Sequence, residues 1–350
     1  MELRRLAAAK GLIYGAAISA KSIASDPEFV DLVLRQTGAV VAENDMKWQF
    51  INRGKPQDDD YGRADTVAAF ALRNGLVLRG HNLLWYRSTP GWFFDLPNKR
   101  AAEGAIVAHI RSLVGRYRGQ IHSWDVVNEP IEPANGRPDG LRTAVLLDKM
   151  GPDYIHLAHC TAREADSSAR LVVNDHSLEL NVPEHEARRA ALLNLLEQMQ
   201  RSGAPVDAAG IQAHLVCAGG APFSASLLRR FLAEIAGLGL SIQITELDVI
   251  DTHAPADQTV RDRLVADTYS RFLDVALDEP AVKMVITWGL ADRYSWLAKS
   301  RNDRSPSRPL PFDEDLKPKP AFEAMARAFA HACSSRPPSC RPTDGYSPAS

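Results

Sequence analysis

Two glutamates stand at the ends of apolar, β-favouring runs far apart in the chain: Glu129 in QIHSWDVVNEP (120–130) and Glu246 in SIQITELDV (241–249). Ile121, Val126 and Val127 favour extended backbone, and Pro130 cannot donate to a sheet ladder, so pairing ends there. Asn128 and Glu129 are thereby left at a strand tip. ITELDV alternates along a strand, which puts Glu246 and Asp248 on one face. A pair of strand-end carboxylic acids is the equipment for cleaving a glycosidic bond, one acid serving as proton donor and base and the other as nucleophile.

Elements that could position such a pair recur eight times. Strands are predicted over 11–19, 38–43, 76–85, 120–128, 170–175, 208–214, 240–248 and 283–289, alternating with helix-like segments. Val30, Val33, Leu34 and Thr37 keep helical spacing behind Asp26 as N-cap and Pro27 in the first turn, with Gly38 as a stop. Leu192, Leu195, Leu196 and Met199 repeat the pattern after Asn181 and Pro183, as do Leu228, Phe231, Leu232 and Ile235 after Ser224. Arg188, Arg189 and Glu186 read as a solvated helix face. Eight such units predict a single closed (β/α)8 TIM barrel, whose reactive residues come from strand C-termini. An open doubly wound sheet is the rival, but no GxGxxG follows a strand.

The chain has 350 residues, of which 45% are hydrophobic and 24% charged, with a formal net charge of -2. No run of consecutive basic residues exceeds a pair, so neither nucleic acid nor an anionic membrane is an expected partner. No apolar stretch approaches a membrane span. The first twenty residues resemble a secretory leader, yet Lys10 interrupts the apolar region and Gly11 to Ser19 reads better as the first strand. One domain is expected over 1–332, followed by a Ser- and Pro-rich tail over 333–350 too poor in apolar residues to fold alone. Cys333 and Cys340 could pair there in an exported protein, whereas Cys160 and Cys217 read as core. His156, His159 and Cys160 have helical spacing suited to a metal, but no fourth ligand is near and IHLAHCTA reads as an ordinary barrel helix.

Strand ends carry an unusual mixture: AENDMKW with Glu43, Asn44 and Lys47; RGHNLLW with His81 and Trp85; VVNDH with Asn174 and His176; GIQAHL with Gln212 and His214; and TWGLADRYSW with Trp288 and Trp296. Amides, acids, imidazoles and indoles on one rim suit a sugar, whose hydroxyls need polar partners and whose C–H faces lie against aromatic rings. Trp48 and Trp124 read as core. With WDVVNEP and ITELDV these segments resemble, in order, a retaining xylanase of glycoside hydrolase family 10, over about residues 11–332. The resemblance implies endo-hydrolysis of β-1,4-xylan and xylooligosaccharides by an enzyme that is secreted or periplasmic; no cofactor or metal is expected, and a monomer is. It also implies Glu129 as acid/base and Glu246 as nucleophile, with Glu43, Asn44 and Lys47 at the −2 sugar, His81 and Trp85 at −1, and Trp288 and Trp296 closing the glycone side.

The chemistry of the residues agrees. Asp248 can orient His214, which can hydrogen-bond Glu246 and keep it ionised. Glu129 must start protonated, which partial burial and a neighbouring carboxylate favour. Asn128 is placed to grip the 2-hydroxyl at −1 as charge develops. Two departures stand out. The family's usual His-Ser-Gln after the strand-three tryptophan is Tyr86-Arg87-Ser88 here, and NDYN is NDHS, with His176 and Ser177. Loss of the long amide at Ser88 predicts more room at −2 and keeps a relative that prefers β-1,4-glucan as a rival reading. A non-catalytic carbohydrate binder would not need both acids, and a barrel acting on phosphorylated sugars would need glycine-rich loops after strands seven and eight.

Overall fold

In the computed structural model, which describes residues 1–54, 58–220, 222–298, 300 and 305–333, eight parallel strands close into a barrel. They are β1 (Ile13–Ile18), β2 (Ala39–Ala42), β3 (Val77–Gly80), β4 (Ile121–Asn128), β5 (Arg170–Asp175), β6 (Ala208–Ile211), β7 (Ser241–Ile250) and β8 (Val282–Thr287). Pairing of β8 with both β7 and β1 completes the ring. All eight lie inside or within two residues of the predicted ranges. Two short pieces, Leu84–Trp85 and His214–Val216, extend the third and sixth units and pair with β4 and β7.

The strands read as continuous apolar runs because both faces are covered, one by the barrel interior and one by helices. Asp26 caps the helix Pro27–Gln36 by accepting from the Phe29 amide at 3.0 Å. Its buried stripe is Phe29, Leu32, Val33 and Gln36, about one residue round from the predicted Val30–Val33–Leu34–Thr37 face. Ser224 caps Ala225–Gly237, and Leu228, Phe231, Leu232 and Ile235 are all buried. The helix Pro183–Arg201 starts without a side-chain cap and buries Leu192, Leu195, Leu196 and Met199 as predicted.

That helix also carries a correction. Arg188 and Arg189 are not on a solvated face: Arg188 is 0% exposed, and its Nη2 donates to Asp175 Oδ1 at 2.6 Å. Arg189 Nη1 donates to the carbonyls of Leu178 and Leu180 at 2.8 and 2.9 Å. A guanidinium is tolerated inside when a carboxylate and carbonyls satisfy its fork, a condition invisible to helical periodicity.

Among the described residues no helix is long and apolar enough to cross a membrane. The helix Leu3–Ala8 buries Leu3 and Ala7, and the Leu3 amide donates to Gln36 Oε1 at 3.0 Å. Cys160 and Cys217 are half-buried rather than core. His159 Nδ1 donates to the Pro205 carbonyl at 2.7 Å. The tail beyond residue 333, and with it Cys340, lies outside the described residues.

Trp48 and Trp124 are both buried. Trp124 fits inside the wall only because β3 ends in a glycine, where an added Cβ would come within 2.1 Å of the indole. Gly80→Ala should therefore overpack this site and lower unfolding stability by about 1–3 kcal/mol. A denaturant midpoint equal to that of the parent would contradict the packing argument.

Candidate active site

Strand register brings the two glutamates into one network. Asn128 on β4 pairs with Asn174 on β5, which pairs with Gly210 on β6. The missing side chain at Gly210 leaves the space that the Asn174 amide fills, since a Cβ there would lie 2.4 Å from Asn174 Oδ1. Thr245 Oγ1 donates to that same oxygen at 2.7 Å and fixes the amide's orientation. Asn174 Nδ2 then donates both to Asn128 Oδ1 at 2.7 Å and to Glu246 Oε1 at 2.8 Å. Asn128 Nδ2 and Gln212 Nε2 approach Glu129 Oε1 at 3.4 and 3.2 Å.

Glu246 is surrounded by positive charge. Burial acts to raise its carboxyl, but the His214 hydrogen bond together with His81 and Lys47 outweighs it and holds the group at about 2. The acid is ionised throughout the neutral range. His214 Nδ1 lies 2.8 Å from Asp248 Oδ1, and its Nε2 lies 3.4 Å from Glu246 Oε2. Burial alone would lower this imidazole, but the two carboxylates hold it well above its ordinary value. His214 is thus clamped between Asp248 and Glu246, and both carboxylates favour its protonated form. Trp296 Nε1 donates to Asp248 Oδ2 at 2.8 Å and, though 54% exposed, its ring packs against His214 at 5.2 Å.

On the other side of the barrel mouth, His81 Nδ1 is held by Asp125 Oδ2 at 2.7 Å, and Asp125 also pairs with the buried Arg79. Trp288 stands edge-on to His81 at 5.0 Å. Lys47 Nζ donates to Asn44 Oδ1 at 2.8 Å and lies 4.7 Å over the Trp85 ring. Burial raises the Glu43 carboxyl and lowers the Lys47 amine despite their mutual attraction, so this corner is poorly solvated and suited to hydroxyl partners.

Glu129 sits in a left-handed backbone conformation, φ 55°, that an L side chain adopts only under constraint. The constraint comes from the VVNDH segment and from two arginines and a glutamate that no motif marked. Arg142 Nε donates to the Glu129 carbonyl at 2.8 Å and its Nη2 to the Ile131 carbonyl at 3.2 Å. Glu132 pairs with Arg142 at 3.1 Å and Arg188 at 3.3 Å, and Asp175 Oδ2 accepts from the Ile131 amide at 2.9 Å. His176 Nε2 reaches within 3.8 Å of Glu129 Oε2. Burial, with Arg188 and Arg142 alongside, pushes His176 down to about 3, so it faces the acid as a neutral ring.

Arg142→Gln should release this clamp and lower kcat on polymeric substrate by about tenfold, the loss of roughly 1.4 kcal/mol of positioning. Arg142→Lys should restore part of it. Equal kcat values for parent and Gln variant would show that the clamp does not position Glu129.

Ser88 does not open extra room. It is 1% exposed with its Oγ unpartnered among the described residues, so its side chain lines no open surface, while Arg87 beside it is exposed. Arg142 and Glu132 carried no signal in the sequence, being loop residues of common type. Asp125 did carry one: a charge inside an apolar strand demands a buried partner.

A closed (β/α)8 barrel with acids, amides, imidazoles and indoles gathered at its strand C-termini has the architecture of a barrel glycoside hydrolase. The family model Glycosyl hydrolase family 10 matches residues 2–328, and the chain belongs to that family. It is 32% identical over 338 residues to Endo-1,4-beta-xylanase 1 of Humicola insolens, covering 94% of this chain and 74% of that protein. It is 31% identical over 323 residues to the Beta-1,4-xylanase of Dictyoglomus thermophilum, covering 88% of this chain and 86% of that one. The crystal structure of xylanase 10B from Thermotoga petrophila RKU-1 in complex with xylobiose superposes with a TM-score of 0.84 at 29% identity, covering 94% of this chain and 97% of that one.

Proposed function

We propose that this protein is an endo-1,4-β-xylanase that works by double displacement, with Glu246 as nucleophile and Glu129 as general acid and base. The observation that carries the roles is the asymmetry of their surroundings. Glu246 is held ionised by His214, His81 and Lys47, whereas the nearest imidazole to Glu129 is neutral. In the first step Glu246 attacks the anomeric carbon while Glu129 protonates the departing glycosidic oxygen. In the second, Glu129 takes a proton from water, which attacks from the face the leaving group vacated, opposite Glu246, and breaks the Glu246–sugar bond with net retention. Asn128, fixed by Asn174, offers its amide to the 2-hydroxyl, and Lys47, Asn44 and Glu43 hold the next glycone sugar. His81, Trp85, Trp288 and Trp296 supply the walls.

Relatives named as xylanases, and a structural neighbour solved with xylobiose, support xylan as the substrate. Because xylan is a polymer outside the cell, the enzyme acts in a secreted or periplasmic setting. Residues 1–332 form the catalytic domain, which acts as a monomer. The test is digestion of linear xylan followed by viscometry and proton NMR. Rapid viscosity loss and β-anomeric first products are expected; α-anomers, or cleavage of β-1,4-glucan but not xylan, would reject the reading.

A further inference from the structure

The rim beside Glu129 holds a cation that the reaction on neutral xylan does not use. Arg87 is exposed, and its Nε donates to the Tyr86 hydroxyl at 2.7 Å with the guanidinium 5.4 Å over the Tyr86 ring. Among the described residues no carboxylate pairs with it and its two terminal nitrogens have no hydrogen-bond partner. Its platform is rigid: Tyr86 packs edge-on to Trp85 at 6.1 Å and carries the Arg142 guanidinium at 4.4 Å. Arg142 is itself bonded to the Glu129 carbonyl, which places Tyr86 at the acid/base side of the cleft. Arg142 is matched by Glu132 at 3.1 Å, so Arg87 is the cation of this group that has no ion-pair partner among the described residues, Glu129 acting on it only at longer range. An arginine oriented through Nε keeps its Nη pair as a fork, and an exposed fork at the rim of a sugar cleft matches a planar carboxylate.

We propose that Arg87 is a subsite for a carboxylate carried by the substrate, namely a uronic acid branch on the xylan chain. This rests on the xylanase reading given above. Glu129 also faces the position, but a branch engages Arg87 from the solvent side, where both Nη groups are available. Tyr86 offers its ring as a flat surface for the branching sugar.

The experiment compares glucuronoxylan with the same polymer after chemical reduction of its carboxyl groups, which removes the charge and leaves the branch. The parent enzyme should show kcat/KM about tenfold higher on the native polymer, as expected for a charge-assisted, bidentate pair. In Arg87→Gln the ratio should fall to about one, and in Arg87→Lys to an intermediate value. A ratio near one in the parent, or the same ratio in parent and Arg87→Gln, overturns the subsite. Xylohexaose cleavage, measured in parallel, separates the two levels. A parent that cleaves xylohexaose but shows no ratio loses only the subsite, and one that cannot cleave it loses the xylanase reading.

Discussion

Glu246→Ala is expected to lower kcat on xylan by about 10⁴- to 10⁶-fold, the range seen when a covalent nucleophile is removed. Neither Lys47 nor His214 can replace it, because both face Glu246 as groups that stabilise its negative charge. The cavity left by the carboxylate is lined by donors, the Asn174 amide at 2.8 Å and the His214 ring at 3.4 Å from the oxygens that would be lost. A small anion should therefore bind there. With azide and an activated aryl xylobioside the variant should recover turnover and release the α-glycosyl azide, the product of a single inversion. A β-azide would place the nucleophile elsewhere.

Glu129→Ala should behave differently on different substrates. On xylan, whose leaving group is an unactivated sugar hydroxyl, loss of the proton donor should cost about 10²- to 10⁴-fold in kcat. On a dinitrophenyl xylobioside the first step needs no protonation and should survive. Water then lacks its base, so the glycosyl-enzyme should accumulate and be seen as a burst. Azide should now yield the β-glycosyl azide, because Glu246 still forms the intermediate. The fall in activity toward high pH should flatten as well. Equal losses on both substrates would show that Glu129 does not deliver the proton. Arg142→Gln is expected to follow the same substrate dependence more weakly, since it acts through the position of Glu129.

Much of this site is legible in the chain because strand chemistry is local. A run such as ITELDV alternates faces whatever its neighbours are, so Glu246 and Asp248 could be assigned to one face and His214 to their company without a structure. WDVVNEP ends at Pro130 for a reason contained in proline itself. The count of eight strand–helix units likewise reflects local periodicity, and the observed strands follow the predicted ranges closely.

What the tertiary structure alone decided are the contacts set by register and by long loops. That Asn174 bridges Asn128 and Glu246 depends on the pairing of β4, β5 and β6 and on the space over Gly210. No spacing within one strand encodes that juxtaposition. Arg188 looked like a solvated charge and proved to be the buried partner of Asp175 and Glu132, because burial is a property of what packs against a helix. Ser88 read as a vacated contact and is buried, while Arg87 beside it is exposed. Side-chain direction follows from the backbone period of two, which neighbouring residues determine. Burial and hydrogen-bond partners follow from barrel closure, which joins groups separated by tens to hundreds of residues.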